Sequence, residues 1–181
     1  MNSPAYAVLG VGNILERDDG IAVYAAAYLE SNYTFDPPVR IINGGVEGIN
    51  LLNVFMEYDR LFILDAIAVD DASGSIYHIP AAELTGYGLN SGGAHEIGVL
   101  QCLDMLELMG KPLPESSVVG IVPKEVTVDV GLSAALRDAF GRYVDVVVSL
   151  LRQENIRVLE NENTLTLETI IERFRRSGMN A

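Results

Sequence analysis

Side chains of the types that bind divalent metal ions lie in three separate predicted loops. The pair Asp18 and Asp19 lies in GVGNILERDDG, Asp65 ends the apolar run of LFILDAI, and His95 follows the glycine-rich stretch 87–94. Two carboxylates and one imidazole form a mixed oxygen and nitrogen donor set that suits a divalent transition metal. Three protein ligands also leave a coordination position for a ligand that a partner supplies. If the fold brings the three loops together, they form a metal site.

The stretch 10–20 begins like a phosphate-binding loop but departs from both common patterns. Leu15 stands where a dinucleotide-binding loop has its third glycine, and no lysine follows the glycines as in a P-loop. We instead expect one of Asp18 and Asp19 to be a helix N-cap or first-turn residue, because the amides at a helix start favour an anion. The other carboxylate then points outward, beyond the first strand. Gly20 is expected to keep the first helical turn open to the backbone of a partner.

Apolar segments with strand-like and helix-like spacing alternate along the chain, which predicts an α/β fold. We expect a three-layer sandwich, with a twisted, mainly parallel five-stranded sheet and helices on both faces. The short turn 70–74 favours one antiparallel strand, next to the strand that precedes the turn. Ligands bind beyond the carboxyl ends of the strands in such sheets, so the candidate metal ligands are expected at that edge. The predicted strands are 6–11, 39–42, 60–67, 75–79 and 117–122.

The chain divides into an α/β domain at 1–155 and a C-terminal extension at 156–181. The extension begins with a polar stretch, after which Leu167, Ile170, Ile171 and Phe174 form an apolar stripe with helical spacing. We therefore expect a helix that docks either on the domain or on another chain. Because the sheet and its helices precede the extension, removal of residues 160–181 should leave a folded domain.

The sequence contains 12 Lys and Arg against 25 Asp and Glu, so its formal net charge is −13. A nucleic-acid partner requires a basic surface, and an anionic membrane surface repels this charge. We expect neither of these partners, and a cation or a basic protein segment instead; the alternative is that the acidity only aids solubility. The single cysteine, the lack of a membrane-length apolar stretch and the lack of a signal-peptide pattern predict a cytoplasmic protein.

Two further reactive side chains have structural interpretations. Cys102 shares an apolar helix face with Val99 and Leu106, so we interpret it as a core thiol and not as a nucleophile. His78 lies in the middle of a predicted strand and is expected on its solvent side. For Asp65, the alternative to metal binding is that its carboxylate accepts backbone amides of the next loop.

Four motifs, in their order and spacing, resemble the hydrogenase maturation endopeptidases over roughly residues 5–152. This family trims the C-terminus of the large subunit of nickel–iron hydrogenases. The resemblance implies a nickel-dependent endopeptidase whose partner is the large-subunit precursor, and we expect it to act as a monomer. It also implies that Asp19, Asp65 and His95 bind nickel that the precursor already carries, although other divalent metals can occupy such a site. The motifs are Gly10-Val11-Gly12-Asn13 with Asp18-Asp19-Gly20, Asn43-Gly44-Gly45 with Gly48, Asp65-Ala66, and His95 with Gly98.

The second motif departs from the family pattern, in which Asp-Gly-Gly-Thr is usual. Asn43 and Val46 stand at the Asp and Thr positions. The resemblance makes Asn43 catalytic together with the three expected metal ligands, yet an asparagine cannot act as a base at neutral pH; Glu47 is a nearby acid that could replace it. The alternative is a non-catalytic nickel-sensing binding module of the same fold, and a nucleotide-binding flavodoxin-like domain is a more distant one. If the protein is an enzyme, its nucleophile is expected to be water.

Overall fold

The computed structural model describes residues 5–81, 83 and 94–178. Two short 3-10 helices, Arg17–Gly20 and Gly48–Leu51, precede the first two α-helices. No helix in this part of the chain is long and apolar enough to span a bilayer. The strands are β1 (Tyr6–Val11), β2 (Tyr33–Asp36), β3 (Val39–Gly45), β4 (Arg60–Ala66), β5 (Ile76–Pro80), β6 (Glu115–Ile121) and β7 (Arg157–Glu160). The helices are α1 (Ile21–Asn32), α2 (Leu52–Glu57), α3 (Ala94–Leu108), α4 (Ala134–Gln153) and α5 (Leu167–Gly178).

The central sheet has five strands in the order β3-β1-β4-β6-β5. β1 pairs in parallel with β3 and β4, β4 pairs in parallel with β6, and β5 pairs antiparallel with β6. The expectation of a five-stranded, mainly parallel sheet is therefore confirmed. From β1 the chain first moves outward to β3 and then crosses to β4 on the other side of β1. This reversal creates a topological switch point between β1 and β4.

β5 runs antiparallel as expected, but the expectation that it would lie next to β4 is wrong. β6 occupies the position between them. The turn that leads into β5 bonds instead to the end of β6: the Gly74 amide donates to Val122 O at 2.8 Å, and the Val122 amide donates to Ser75 O at 2.9 Å. The short connection determined the direction of β5, while a later segment of the chain took the place beside β4.

Helices cover both faces of the sheet, and each face has its own apolar core. The first core joins α1, α4 and α5 to strand residues such as Val8 and Leu64, and it contains the rings of Tyr24 and Tyr143. The second core joins α2 and α3 to the strand residues that face the other way, and it contains Phe55. Because both faces of the strands are buried, their sequences are continuous apolar runs and do not alternate with polar residues. The expected three-layer sandwich is confirmed.

The C-terminal segment docks on the domain, which is one of the two alternatives expected for it. β7 pairs antiparallel with β2 in a separate two-stranded sheet that sequence reasoning did not anticipate. In α5, Ile170 and Ile171 are 2% and 1% exposed, and the ring of Phe174 packs edge-on against the ring of Tyr24. The proposed domain boundary near residue 155 stays a prediction.

Candidate active site

The loop after β1 turns back so that Asp19 returns to the end of that strand. Gly12 has φ +144°, and a Cβ at this position would lie 2.0 Å from the backbone oxygen of Asp19, so only glycine fits. Asn13 Oδ1 accepts from the Leu15 amide at 3.0 Å, which closes the turn. Asp19 Oδ2 accepts from the Asn13 amide at 2.7 Å. The glycine and the asparagine therefore shape this turn, and the Asp19 carboxylate lies at the carboxyl end of β1.

Asp18 is fully buried, and its carboxylate accepts from four donors of one distant loop. Oδ2 accepts from the amides of Lys124 and Glu125, both at 2.9 Å, and from the Ser133 hydroxyl at 2.7 Å. Oδ1 accepts from the Ser133 amide at 2.6 Å. A buried carboxylate requires such compensation for its lost hydration. Asp18 is therefore held by the loop 124–133, whereas Asp19 is bonded at the end of β1, at the edge of the sheet.

The two aspartates stand in a first turn as expected, but neither is a helix cap. Both lie in the 3-10 helix Arg17–Gly20, while the N-cap position of α1 is Gly20, which has no side chain to cap with. The expectation that Gly20 leaves room for a partner is wrong. A Cβ on Gly20 would lie 2.8 Å from the Cα of Ile14, so the close approach that requires glycine is made by the protein's own backbone.

Asp65 is the second carboxylate at this edge and the penultimate residue of β4. It is 3% exposed and lies opposite Gly120 of β6. The Tyr143 hydroxyl donates to Val119 O at 2.7 Å and lies 3.4 Å from the backbone oxygen of Asp65. Burial, together with the charge of Asp65, raises the pKa of Tyr143 well above its usual value. Tyr143 is therefore a neutral hydrogen-bond donor beneath this end of β4.

Asp19 and Asp65 lie on adjacent strand ends, on the two sides of the topological switch point. Gly10 of β1 is opposite Leu64 of β4, so the carboxyl ends of the two strands lie side by side. Asp65 directly follows Leu64, and Asp19 is bonded just beyond the end of β1. In open α/β sheets the crevice at such a point binds ligands. Two of the three expected metal ligands therefore stand where the topology favours a ligand site.

The third expected ligand, His95, lies in the first turn of α3. Its side chain lies outside what the structure describes, and so do residues 87–93 of the glycine-rich loop before it. Among the described side chains, no group of three His, Cys, Asp or Glu residues forms a possible metal site. The complete set of Asp19, Asp65 and His95 stays a prediction.

Asn43 lies on a third loop at the same edge, at the end of β3. It is exposed and opposite Gly10 of β1. Its Oδ1 accepts from the Gly45 amide at 3.1 Å, and the Gly45 carbonyl accepts from the Gly12 amide at 2.9 Å. The side chain thus shapes its own turn, which in turn bonds to the loop after β1. An aspartate would accept the same bond, so Asn43 keeps the shape of this turn without supplying a base.

Neither Cys102 nor His78 is a candidate nucleophile of the site. Cys102 is fully buried on the core side of α3, where its Sγ lies 3.9 Å from Gly48 O, and burial raises the pKa of its thiol to about 11, so it is protonated at neutral pH and a poor nucleophile. His78 is exposed in β5, where partial burial lowers the pKa of its imidazole. It lines a cavity of about 180 Å³ together with Arg60, which pairs with Glu115 and Glu154. Because Arg60 and Glu115 begin their strands, this cavity belongs to the amino edge of the sheet.

Sequence reasoning missed the loop between β6 and α4 as part of the site. Arg17 holds it through ion pairs with Glu125 at 3.1 Å and Asp129 at 3.0 Å, in addition to the bonds of Asp18. The one local signal is Ser133, which directly precedes a helix and caps α4. Nothing local connects Ser133 to Asp18, from which 115 positions separate it.

Comparison with known proteins gives a consistent set of similarities. Residues 23–150 match a family model described as HycI, hydrogenase maturation protease; the match spans Asn43, Asp65 and His95 and begins after Asp19. The chain is 29% identical to the hydrogenase 2 maturation protease of Escherichia coli (strain K12), covering 86% of this chain and 95% of that protein. It is 27% identical to the hydrogenase expression/formation protein HupD of Rhizobium leguminosarum bv. viciae, covering 94% and 85%. The solved hydrogenase maturating endopeptidase HybD from E. coli is similar with a TM-score of 0.80 at 28% identity, covering 87% and 98%.

Proposed function

The chain belongs to the hydrogenase maturation protease family and is therefore a peptidase. We propose that it removes the C-terminal extension of a nickel–iron hydrogenase large-subunit precursor that already carries nickel. The relatives named above support this substrate class. In this proposal the nickel ion is part of the substrate and not a cofactor that the protein keeps. Asp19, Asp65 and His95 bind that nickel, and other divalent ions can take its place.

One observation carries the proposal: the two adjacent aspartates have different surroundings. Asp18 is committed to four donors of the loop 124–133, whereas Asp19 is bonded at the end of β1, beside the end of β4 and Asp65. The second carboxylate, unlike the first, lies at the switch point, where ligands bind in such sheets. Carboxylate oxygens with a histidine nitrogen suit a divalent transition metal such as nickel.

Hydrolysis then proceeds with water as the nucleophile. The water oxygen bonds to the carbonyl carbon of the scissile peptide bond, the carbon–nitrogen bond breaks, and both protons of the water pass to the leaving nitrogen, so that a carboxylate and an ammonium group result. The contribution of the protein is position: when its three ligands bind the precursor's nickel, the adjoining peptide segment is held in one place, and such positioning lowers the barrier. Asn43 can hydrogen-bond to the substrate but cannot act as a base that takes a proton from the water. Cys102, buried on the core side of α3, takes no part.

The test is incubation of the purified protein with nickel-loaded precursor, followed by mass spectrometry. We expect the wild type to shorten the precursor at one bond, Asp19→Ala to leave it intact, and Cys102→Ser to cleave within a few-fold of the wild-type rate. Glu16→Ala is a matched control, because it removes a half-buried acid from the same loop and leaves the expected ligands in place. If Cys102→Ser stops cleavage while Asp19→Ala does not, a thiol protease mechanism replaces the one proposed.

Nickel dependence requires its own comparison. Precursor prepared without nickel should stay uncut, and precursor loaded with nickel in vitro should regain cleavage. Equal cleavage of both forms would leave the peptidase assignment intact and remove the metal from the mechanism.

A second candidate, a nickel-sensing binding module without catalysis, is favoured by Asn43, since the family's usual acid is missing there. Such a module would bind the nickel-loaded precursor with the same dependence on Asp19 but would never shorten it. The same incubation, with binding followed by size-exclusion chromatography, separates the two candidates.

We also propose that the protein acts in the cytoplasm and as a monomer. The single cysteine suits a reducing compartment, and the net charge of −13 opposes self-association of like-charged copies. Light scattering should therefore give a mass near 19.6 kDa for the protein alone. A mass that corresponds to a dimer would contradict the monomer.

A further inference from the structure

Four exposed apolar side chains lie on three loops at the carboxyl edge of the sheet. Leu15 follows β1, Val46 follows β3, and Val126 and Val128 follow β6; they are between 52% and 92% exposed. We call these four residues the apolar rim. In the order of the strands, the rim lies on both sides of β4, which carries Asp65. Single exposed apolar residues are common, but a set around one ligand-binding edge marks an interaction surface.

The backbone beneath the rim is fixed by hydrogen bonds between two loops. The Asp129 amide donates to Leu15 O at 3.0 Å, and the Arg17 amide donates to Asp129 O at 2.8 Å. These bonds place Leu15 and Val128 on paired segments of chain. On its other side the loop is held by Arg175 of α5, whose guanidinium donates to a backbone oxygen, that of Val130, at 2.9 Å. A surface held in this way loses little conformational entropy when it binds a partner.

We propose that the apolar rim binds the segment of the precursor that adjoins the scissile bond, through apolar side chains of that segment. This inference rests on the proposed function, because it uses the same edge of the sheet. Leu15 belongs to the loop that carries Asp19, and Val46 follows the turn of Asn43. A peptide whose nickel is bound by Asp19 and Asp65 must leave that point across one of these loops. The apolar rim thus selects the residues beside the cleaved bond, while the metal ligands select the nickel.

The net charge of the protein favours a precursor peptide at the apolar rim over a second copy of the chain or an anionic membrane surface. A second copy of the chain would bring together two proteins of net charge −13, and an anionic membrane surface would repel the same charge. A peptide segment with apolar side chains and no excess of acidic ones meets neither barrier. The hydrophobic contact supplies affinity, and the acidic protein disfavours acidic segments.

The experiment compares the double variant Val126→Ser/Val128→Ser with the control Leu108→Ser. Leu108 is also highly exposed (83%) but ends α3, on the amino side of the sheet, shortly before β6 begins. Exposed positions such as these tolerate serine with little effect on folding, which the thermal midpoint checks. The probe is the nickel-loaded large-subunit precursor of a hydrogenase from the same genome. Both its dissociation constant, by calorimetry, and its rate of cleavage are measured.

We expect the dissociation constant of the double variant to rise by about tenfold or more, since each buried valine contributes to binding. The rate constant of cleavage at saturation should change by less than about threefold, because the reacting groups are untouched. The control should bind like the wild type. An unchanged dissociation constant for the double variant, or an equal rise for the control, would contradict the proposal that the apolar rim binds the precursor.

Failure of the proposed function gives a different pattern. If the wild type binds the precursor without shortening it, the proposed endopeptidase activity is wrong. The dissociation constants of the variants still show whether the apolar rim binds the precursor. If the wild type does not bind the precursor, both the rim and the proposed function are wrong.

Discussion

Asp18 and Asn32 lie at opposite ends of α1, and each fastens a distant segment of chain to the α/β core. Both side chains are fully buried. Asp18 holds the loop between β6 and α4 through the four bonds to Lys124, Glu125 and Ser133. Asn32 holds the C-terminal segment: its Nδ2 donates to Leu165 O at 2.9 Å, and its Oδ1 accepts from the Leu165 amide at 2.7 Å. The first junction adjoins the candidate active site, and the second does not.

The two anchors differ in chemistry, and the difference matches the segments they hold. A carboxylate only accepts hydrogen bonds, so Asp18 accepts from several amides of one loop. A side-chain amide both donates and accepts, so Asn32 bonds to the carbonyl and to the amide of Leu165, as a neighbouring strand would. Bonds to a charged acceptor are the stronger ones, and a buried partner left without its bond is costly. The loop beside the site should therefore be held more firmly than the C-terminal segment, and the placement of Asp19 should depend on Asp18.

Replacement of Asp18 by alanine should have the largest effect on stability. It leaves two part-buried amides, one buried amide and one buried hydroxyl without their acceptor, and at about 1–3 kcal/mol for each group the free energy of unfolding should fall by about 4 kcal/mol or more. Urea denaturation measures this loss. Asp18→Asn, which keeps the shape but turns one acceptor into a donor, should lie between alanine and wild type and should weaken nickel binding while still folded. A loss for Asp18→Ala below about 1 kcal/mol would show that water replaces the carboxylate, and the contrast with Asn32 would disappear.

Removal of residues 160–181 should have the next largest effect. The truncation exposes the core contacts of Ile170 and Ile171, each worth about 1.5–3 kcal/mol, offset in part by the entropy of a tail that no longer needs ordering, so we expect a net loss of about 3 kcal/mol. The remaining domain should unfold cooperatively in calorimetry and should still cleave the precursor. Loss of cooperative unfolding would show that the rest of the domain does not fold without this segment. Loss of cleavage from a folded domain would show that Arg175 and its bond to Val130 are needed at the site.

Asn32→Ala should weaken the protein by about 2 kcal/mol, because both backbone groups of Leu165 lose their partner. Its cleavage rate and nickel affinity should stay at wild-type values, in contrast to Asp18→Asn. The matching exchange, Asn32→Asp, sets a carboxylate oxygen against the Leu165 carbonyl and should be no more stable than alanine. Should Asn32→Ala impair nickel binding as much as Asp18→Asn does, the two junctions are not separate in function.

Asn43→Asp should have the smallest effect on stability, within about 0.5 kcal/mol, because Asn43 is exposed and its side chain accepts from the Gly45 amide of its own turn, a bond that an aspartate keeps. It therefore serves as the local counterpart of the two long-range anchors. Cleavage should hold or rise, since the substitution restores an acid that the family usually has there. Initial rates with nickel-loaded precursor measure this, and a sharp fall would show that the asparagine amide itself contacts the substrate.

Much of the fold could be predicted from the sequence, because burial on both faces makes each central strand a continuous apolar run. β1 was predicted with its observed bounds, and β3, β4, β5 and β6 were predicted within a few residues. The turn after β1 was equally readable, because Gly12 adopts a positive φ that side chains rarely allow, and Asn13 closes the turn with its own side chain. Cys102 was placed in the core because it shares a face with apolar neighbours.

The errors and omissions in strand pairing share one cause, which is that the pairing partner lies far away along the chain. β5 pairs with β6, which follows it only after α3, so a rule about short connections could not find its neighbour. The pairing of β2 with β7 joins two strands of four residues each, which more than a hundred residues of sequence separate. The error at Gly20 has a different cause: Ile14 is a near neighbour in sequence, but the spacing of the residues does not show that the chain folds back on itself there.

The sequence by itself determined the fold class, the turn after β1 and the presence of two carboxylates where one would serve a helix start. These are matters of local spacing, backbone freedom and the number of charges, and each can be read over a few residues. Only the tertiary structure decided which carboxylate is structural, because the donors that occupy Asp18 come from a loop more than a hundred residues away. A buried charge must be compensated by whichever groups the fold brings to it. The same assembly that compensates Asp18 leaves Asp19 at the end of β1, beside the end of β4.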